Sequence, residues 1–445
     1  MLITADWAVP VSSAPIRDGA VVLRNGLIEA VGPADGLAKK YAGVPRHDHP
    51  GCIIMPGLVN AHTHLALTCL KGLLPPQPFA EWIRRVPQAM LALNRDDLAS
   101  STALGAANCI QAGVTVVGDI AHGPESAAIA ADAGLGGQFY WEVLGIPAKQ
   151  IDDYLDAIEF PAGRSGFTRR LNCGISPHAP YTSGPELIRA ARALAAERRM
   201  GFAVHLAESV AETQLLHDGS GPLADLAKRL ADGFEPPCKT PVAYMEMLGV
   251  LEGAVAVHCT QVLPVDIPVL ARRVRGVVLC PRSNAHLNNG VAPAEKLGKG
   301  GVPLGLGTDS LASNETLDLF EEARALAEIA PGLGAERLVR MMTDEGAQIL
   351  GLGDVFGSLA RGLQADIAIF RIPHSKDPYE GLLQHAGRRS LEAVLSAGLW
   401  RILHGQPTFP VSFADRGSQL ASMKAALALD DSHTASAQPT APLRA

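Results

Sequence analysis

The sequence has neither an excess of basic residues nor a long apolar run. Its 445 residues include 38 Lys and Arg against 45 Asp and Glu, for a net charge of −7. Nucleic acid is not an expected partner, since binding to a phosphate backbone depends on clustered positive charge. No segment approaches the roughly 20 consecutive apolar residues of a membrane span, and the start, MLITADWAVP, does not resemble a signal peptide. We expect a cytoplasmic protein without a membrane partner.

Paired cysteines are also lacking. Seven cysteines are scattered along the chain without a CxxC motif. This pattern predicts small buried apolar side chains in a reducing compartment rather than disulfides. Cys259, next to His258, and Cys280, before Pro281, are alternatives as catalytic nucleophiles, although the sequence shows no base for either.

Strand and helix patterns, by contrast, follow one another along the middle of the chain. Amphipathic stretches such as PELIRAARALAAERR alternate with eight apolar runs, which lie near residues 58, 114, 138, 171, 202, 254, 277 and 303. Such alternation indicates a parallel sheet, and eight strands over about 300 residues fit a (β/α)₈ barrel better than a doubly wound sheet. The predicted fold is therefore of the α/β class, with a (β/α)₈ TIM barrel over residues 56–352.

The two ends of the chain show a different pattern. Residues 20–32, AVVLRNGLIEAVG, predict two short strands joined by Asn25-Gly26, a strong hairpin signal. Near the other end, GSLARGLQADIAIFRI predicts a further strand after a glycine-rich turn. We expect residues 1–55 and 353–412 to form one small β-sandwich domain. Residues 413–445 are expected to form an Ala-rich helix and a disordered tail.

Two histidines end the first strand of the predicted barrel. In IIMPGLVNAHTHL, His62 and His64 are two residues apart and therefore share one face of the strand. Two imidazoles placed in this way can take adjacent corners of a tetrahedral zinc site. An isolated HxH motif is more often a pair of hydrogen-bonded surface histidines. The motif predicts half of a metal site.

Three later strand-like runs end in residues that can complete such a site. His205, His258 and Asp309 follow the apolar stretches of GFAVHLAES, GAVAVHCTQ and VPLGLGTDS. Each of them alone is more often a hydrogen-bonded core residue. Barrel enzymes, however, carry their chemistry at the carboxyl ends of the strands, where all these side chains are predicted to lie. Together they indicate a metal centre.

These motifs and their order resemble the amidohydrolase superfamily, in particular its cytosine-deaminase-like and chlorohydrolase-like branch. PGLVNAHTH is similar to the first-strand motif of that branch, HLAES to the fifth, VAVHC to the sixth and LGTDSLASN to the eighth. By this resemblance, one divalent metal, with zinc favoured and iron as the alternative, is bound by His62, His64, His205 and Asp309. Binuclear members add a carboxylated lysine, and this sequence has no lysine at a comparable strand end.

The residues implied by the resemblance suit hydrolysis at an aromatic carbon. A cation in such a site can lower the pKa of a bound water from 15.7 toward roughly 7. Displacing an amine also needs a proton carrier, for which Glu208, three residues after His205, is the candidate. Its alternative role is a helix-start glutamate favoured by the helix dipole. By resemblance, His258 holds the attacking water, and Asp309 accepts a proton from it.

Residues near other strand ends are candidates for substrate binding. His178 in SPHAPYTS follows the fourth strand, where the family contacts the purine or sugar of a nucleoside, but it is equally a plain loop histidine. In FAEWI, Glu81 could receive ribose hydroxyls, and Trp82 could cover a base or pack beneath the loop.

LCPRSNAHL contributes three further candidates at the seventh strand end, Arg282, Ser283 and Asn284. Arg282 could bind a substrate carboxylate through two hydrogen bonds or pair with a neighbouring acid. HLAES, CPRSN and GTDSLASNETLDLFEE together are most similar to the aminodeoxyfutalosine deaminases of the futalosine route to menaquinone. That group commonly has a glutamate where this chain has Ala66. The resemblance implies hydrolytic deamination of an adenine nucleoside, with 6-amino-6-deoxyfutalosine favoured, water attacking C6 of the purine and ammonia leaving.

Several alternatives stay open at this point. Relatives on the same scaffold deaminate S-adenosylhomocysteine, methylthioadenosine, adenosine or guanine, or dechlorinate triazines. A cyclic amide or amidine hydrolase is more distant and would not release ammonia. A non-catalytic scaffold is the alternative of a different class, but it should have lost a metal ligand or Glu208. The expected partner is a small-molecule substrate, and a homodimer is left open.

Overall fold

The computed structural model describes residues 1–123, 125–157 and 169–408, together with residue 425. Its strands are, in chain order, β1 (Leu2–Ala8), β2 (Ile16–Arg24), β3 (Leu27–Pro33), β4 (Arg46–Pro56), β5 (Leu58–Thr63), β6 (Val114–Ala121), β7 (Gly136–Val143), β8 (Leu171–Pro177), β9 (Gly201–Leu206), β10 (Val255–His258), β11 (Gly276–Leu279), β12 (Leu304–Leu306), β13 (Ile367–Arg371), β14 (Leu391–Ser396), β15 (Leu399–Leu403) and β16 (Gln406–Pro407). Its α-helices are α1 (Ala34–Lys40), α2 (Phe79–Leu91), α3 (Arg95–Ile110), α4 (Ser126–Ala133), α5 (Ile151–Ala157), α6 (Pro185–Glu197), α7 (Val210–Asp218), α8 (Ala224–Leu230), α9 (Pro241–Leu248), α10 (Ile267–Arg273), α11 (Pro281–His286), α12 (Ala294–Lys299), α13 (Leu319–Ile329), α14 (Gly334–Met341), α15 (Asp344–Ile349) and α16 (Pro378–His385).

Strands β5 to β12 form a barrel in which each strand pairs with the next in parallel. A parallel bridge between Thr63 and Asp309 closes the circle between β5 and the segment after β12. All eight apolar runs of the sequence are strands of this barrel. Because strand and helix alternate, the carboxyl ends of the strands meet at one mouth.

Alternate side chains of the barrel strands fill its interior. Val116 and Ile120 of β6, Tyr140 of β7 and Ala203 of β9 belong to one buried apolar cluster. The intervening residues, such as Val117, face the surrounding helices in a second cluster. This period of two is the ordinary geometry of a strand, and it decides which residues at the strand ends point into the mouth.

The two ends of the chain meet in one eight-stranded sheet with the order β16-β15-β14-β13-β4-β1-β2-β3. Pairing is antiparallel except between β1 and β4. Asn25 and Gly26 connect β2 to β3 with φ of 51° and 76°, the left-handed turn that this dipeptide favours. One face of the sheet packs on the barrel, where Phe370 meets Phe320 of α13 with ring centroids 5.2 Å apart.

The predicted fold class is confirmed for both the barrel and the small β domain. The proposed domain boundaries, after residues 55 and 352, stay predictions. The helix and tail predicted for 413–445 lie outside the described residues, apart from residue 425. Within the described part of the chain, no helix combines the length and apolar composition needed to cross a membrane.

Candidate active site

The predicted metal ligands lie together at the mouth of the barrel. His62 belongs to β5 and His64 follows it, His205 belongs to β9, and Asp309 lies just after β12. One ring nitrogen of each histidine lies within 4.8 Å of the others. Oδ1 of Asp309 lies 3.6 Å from Nε2 of His62 and 3.5 Å from Nε2 of His64. The three histidines and Asp309 thus form one cluster.

Neighbouring groups orient these side chains. Nδ1 of His205 lies 2.9 Å from the carbonyl oxygen of His178. Because a carbonyl only accepts, Nδ1 carries the proton and Nε2 keeps its lone pair for a metal. Oδ2 of Asp309 accepts hydrogen bonds from the hydroxyls of Ser283 at 2.5 Å and Ser313 at 3.1 Å. His205 and Asp309 are thus held in place before any ion binds.

The protonation states of the cluster suit a divalent cation. Burial lowers the pKa of His64 and of His205 well below the ordinary value, so both imidazoles are neutral. Burial opposes ionisation of Asp309, but His62 and the other nearby histidines hold its pKa well below the ordinary range. Nε2 of His62 is buried and has no hydrogen-bond partner among the described residues. Neutral imidazoles, an ionised carboxylate and an unpaired buried nitrogen fit the donor set of a zinc site.

Left-handed backbone conformations occur at this mouth. The angle φ is 71° at His258, 56° at Asp309 and 50° at Ala207. Val257 belongs to the barrel interior, so strand alternation alone would point His258 outward. Instead its ring lies with its centroid 5.5 Å from that of His205. Such rare conformations cluster at functional sites, where the surrounding structure enforces them.

Glu208 and His258 lie beside the metal-binding histidines. Oε1 of Glu208 is 3.6 Å from Nε2 of His258 and accepts a hydrogen bond from Nδ2 of Asn289 at 3.1 Å. Nδ1 of His258 donates to Oδ1 of Asn284 at 3.0 Å, which leaves Nε2 facing Glu208. Burial, together with the charge of Asp309, raises the pKa of Glu208 well above its ordinary value. Glu208 can therefore hold a proton at neutral pH, as a general acid must.

Glu212 is a buried residue that the sequence analysis does not single out. Its carboxylate accepts the backbone N–H groups of Ala207 at 3.1 Å and Glu208 at 2.7 Å. Thr260, after β10, donates its hydroxyl to the carbonyl oxygen of Glu208 at 2.5 Å. The loop that carries Glu208 is thus held from both sides. The sequence does carry a signal for Glu212. It follows Ser209, the N-cap of α7, by three residues, which is the spacing of a capping box.

The residues predicted to bind substrate after the first and fourth strands differ in their surroundings. His178 has its ring centroid 4.9 Å from that of His205, so it borders the metal site. Trp82 is buried, and its indole N–H donates to the carbonyl oxygen of Ala312 at 3.0 Å. Glu81, its neighbour on α2, is exposed. Trp82 thus fastens α2 to the loop after β12, and the roles of these residues toward substrate stay predictions.

The three candidates after the seventh strand lie on α11. Ser283 and Asn284 contact Asp309 and His258 as described above. Nε of Arg282 lies 3.3 Å from Oδ1 of Asn314, and the guanidinium lies 3.8 Å from the carboxylates of three nearby glutamates, Glu315, Glu321 and Glu322. A cavity of about 680 Å³ between α11 and α13 is lined by Arg282 but by none of the predicted metal ligands. Substrate binding by these residues stays a prediction, and the contacts of Ser283 and Asn284 tie α11 to the metal site.

The two cysteines considered as nucleophiles are buried in the barrel. Burial raises the pKa of the Cys259 thiol and of the Cys280 thiol far from neutrality. Since the thiolate is the nucleophilic form, this environment disfavours cysteine catalysis.

Comparisons with known proteins agree with the site. The Amidohydrolase family profile matches residues 53–397. A 5-methylthioadenosine/S-adenosylhomocysteine deaminase of Syntrophobacter fumaroxidans is 33% identical over 389 residues, which cover 84% of this chain and 85% of that protein. An aminodeoxyfutalosine deaminase of Deinococcus radiodurans is 34% identical over 346 residues, 75% of this chain and 81% of that protein. The crystal structure of an adenosine deaminase from Xanthomonas campestris with bound zinc has a TM-score of 0.81 at 27% identity, covering 96% of this chain and 98% of that one. The resemblance seen in the motifs is confirmed, and this chain belongs to the amidohydrolase family of hydrolytic enzymes.

Proposed function

We propose that this protein is a metal-dependent deaminase that hydrolyses an adenine nucleoside and releases ammonia. The observation that carries the proposal is the buried carboxyl of Glu208, 3.6 Å from His258 and beside the cluster formed by the three other histidines and Asp309. A proton carrier next to a Lewis-acid site is what displacement of an aromatic amine requires. The two sequence relatives described above are named as deaminases of such nucleosides, which supports the same reaction here.

The metal follows from the donor set. His62, His64, His205 and Asp309 would hold one divalent ion, with zinc favoured and iron as the alternative. A bound ion supplies Lewis-acid chemistry, which lowers the pKa of a water molecule toward neutrality. The zinc in the Xanthomonas structure supports the choice of zinc. Metal analysis of the purified protein should find about one ion per chain, whereas a non-catalytic scaffold would contain far less.

Different side chains of the site can carry out different steps of the reaction. Glu208 holds a proton because of its burial, and it can pass this proton to ring nitrogen N1 of the purine, which makes C6 more electrophilic. Nε2 of His258 is oriented by Asn284 and can hold the attacking water by a hydrogen bond. A carboxylate oxygen of Asp309 can accept the proton of that water. The same proton carriers can then protonate the departing amine, so that ammonia leaves neutral.

Two classes of adenine nucleoside, which differ in the substituent at the 5′ position of the sugar, are supported as substrates. The Syntrophobacter relative favours the thioethers, methylthioadenosine and S-adenosylhomocysteine. The Deinococcus relative and the motifs HLAES and CPRSN favour 6-amino-6-deoxyfutalosine. Ala66 stands where the futalosine-specific enzymes commonly have a glutamate, so we include both classes as substrates to be tested.

An ammonia-release screen on the zinc-loaded protein tests the proposal. The panel contains methylthioadenosine, S-adenosylhomocysteine, adenosine and 6-amino-6-deoxyfutalosine, with guanine and a chlorotriazine as outgroups. We expect ammonia from at least one adenine nucleoside, at a rate that falls by roughly a hundredfold or more when the Glu208→Gln variant, purified in parallel, replaces the wild type. Ammonia from guanine alone, or chloride release from the triazine alone, would overturn the proposed substrate class.

A further inference from the structure

Two polar residues at the ends of β6 and β7 are unused by the reaction described above. Glu142 lies near the end of β7, two residues after Tyr140, and His122 follows β6, two residues after Ile120. Tyr140 and Ile120 both belong to the barrel interior. The period of two along a strand therefore points Glu142 and His122 inward, above the interior layer and into the mouth.

The contacts of Glu142 place it next to the metal-binding residues. A carboxylate oxygen of Glu142 and one ring nitrogen each of His178 and His205 lie within 4.8 Å of one another. The Glu142 side chain is only 9% exposed. A substrate bound at the metal site would therefore lie close to this carboxyl.

The side chains of Glu142 and His122 are 9% and 21% exposed, and their hydrogen bonding is incomplete. Nδ1 of His122 lies 3.6 Å from Oε2 of Glu142, beyond hydrogen-bond distance. Oε1 of Glu142 and Nε2 of His122 are both buried and have no partner among the described residues. Glu208 and His258, by contrast, have Asn289 and Asn284 as partners. Because unpaired buried polar atoms are costly, the pair is suited to a ligand that supplies the missing partners.

We propose that Glu142 and His122 bind the vicinal hydroxyls of the substrate's ribose and make the enzyme selective for ribonucleosides. The inference rests on the proposed function. Each hydroxyl both donates and accepts, so a diol can donate to Oε1 of Glu142 and pair with Nε2 of His122. The ring nitrogens of adenine offer only acceptors, and the 6-amino group must face the metal site, so the ribose hydroxyls are the free donors that all the candidate nucleosides have in common.

The position of Glu142 also distinguishes it from the glutamate predicted for this role. Glu81 is exposed on α2, whereas Glu142 is buried at the mouth and within reach of His178. A hydroxyl gains more from a partner that water does not reach. The structure therefore assigns the discrimination between ribose and deoxyribose to Glu142 rather than to Glu81.

The test compares kcat/KM for adenosine, 2′-deoxyadenosine and 3′-deoxyadenosine in the wild type and in Glu142→Leu, which keeps the size of the side chain and removes its acceptors. We expect the wild type to prefer adenosine over the deoxynucleosides by about tenfold or more, since a site built around a hydroxyl rejects analogues that lack it. In Glu142→Leu the preference should fall toward about one, mainly through loss of activity on adenosine. His122→Asn should reduce the same preference, and this variant provides the test if Glu142→Leu does not fold.

Two variants serve as controls. Asp119→Asn changes a buried carboxyl on β6 that accepts a hydrogen bond from the backbone of Leu65, and it should leave the ratio between the substrates unchanged. Glu81→Leu tests the competing glutamate. Retention of the wild-type preference in Glu142→Leu, or its loss in Glu81→Leu instead, would overturn the inference.

Failure of the ribose site can be told apart from failure of the proposed function. A wild type that deaminates adenine nucleosides without preferring ribose overturns the ribose site alone, whereas a wild type that deaminates none of them overturns the proposed function as well. Zinc is measured in every variant. Two ions per wild-type chain that fall to one in Glu142→Leu would show a second cation at Glu142 and would also overturn the ribose site.

Discussion

At the scale of single residues, Glu208 is the side chain on which the proposed proton transfers depend. Glutamine has nearly the same shape and can still accept the hydrogen bond from Asn289, but it cannot carry a proton. We expect Glu208→Gln to keep its zinc and to lose turnover by roughly a hundredfold or more, the scale of a positioned general acid. Steady-state ammonia release and metal analysis measure the two effects. Glu315→Gln, at an exposed glutamate, is the matched control, and full activity in Glu208→Gln would remove Glu208 from the mechanism.

Asp309 is expected to be both a metal ligand and a proton acceptor. Asp309→Ala should therefore lose zinc and activity together, and full zinc occupancy in this variant would contradict the assignment.

Ser283→Ala removes only the hydroxyl that donates to Oδ2 of Asp309 at 2.5 Å. Because such a hydrogen bond orients a ligand without replacing it, we expect zinc affinity to fall by about 10- to 100-fold. Competition with a chelator measures both affinities.

At the scale of elements, the loop between β9 and α7 positions the proton carrier. Glu212 accepts the N–H groups of Ala207 and Glu208, and Ala207 has a left-handed φ of 50°. Without these hydrogen bonds the loop can relax and move the Glu208 carboxyl. A displacement of about 1 Å can lower the rate on the order of a hundredfold. We expect Glu212→Ala to lower kcat more than it raises KM and to leave zinc content unchanged. Glu212→Gln, which keeps one acceptor, should recover part of kcat, and equal losses in the two variants would indicate general unfolding instead.

Strand β6 carries a buried acid whose titration should be visible in stability. Burial raises the pKa of Asp119 from 3.8 to about 7. Between these values the folded state binds more protons than the unfolded state, so the contribution of Asp119 to stability is complete below the lower pKa and is lost as the pH rises through the higher one. Thermal unfolding should show the Tm of the wild type falling relative to that of Asp119→Asn as the pH rises from about 5 to about 8. Asp354→Asn, at an exposed site, should show the same dependence of Tm on pH as the wild type. If the Tm of Asp119→Asn also ran parallel to that of the wild type, the pKa of Asp119 would be ordinary.

At the scale of the whole molecule, a buried ion pair joins the barrel to the small β domain. Arg170, just before β8, donates from Nη1 and Nη2 to the two carboxylate oxygens of Asp366 at 2.7 and 2.9 Å. The two side chains are 15% and 4% exposed. Removing one partner leaves a buried charge uncompensated, so Arg170→Ala should lower the free energy of unfolding by about 3 kcal/mol. The pair lies at the amino-terminal end of the barrel strands, away from the active-site mouth, so kcat at 25 °C should not change.

The neighbouring arginine offers a matched control for this prediction. Arg169 pairs with Asp354 at 3.2 Å, but both side chains are 73% exposed. Arg169→Ala should therefore change the free energy of unfolding by about 1 kcal/mol or less. Urea denaturation of both variants measures the difference, and equal effects would mean that the pair with Asp366 does not hold the two parts together.

The accuracy of the sequence interpretation differs between the strands and the residues around the site. The eight barrel strands and the Asn25-Gly26 hairpin follow from patterns within a few residues, and all are present. His62, His64, His205 and Asp309 could be grouped because strand ends of a parallel barrel share one mouth. The motif CPRSN singles out Ser283 and Asn284, but their contacts with Asp309 and His258 depend on the way in which α11 turns, which a short motif does not show.

The sequence by itself determined the alternation of strand and helix and the end of the barrel at which His62, His64, His205 and Asp309 meet. Each of these depends on local periodicity and residue type, which folding preserves. Only the tertiary structure decided that Asn289 reaches Glu208 across 81 residues of chain, that a left-handed φ turns His258 toward the metal site, and that Glu142 and His122 face the mouth. The physical reason is that hydrogen bonds and burial between distant segments exist only once the barrel has closed, as it does where Thr63 meets Asp309.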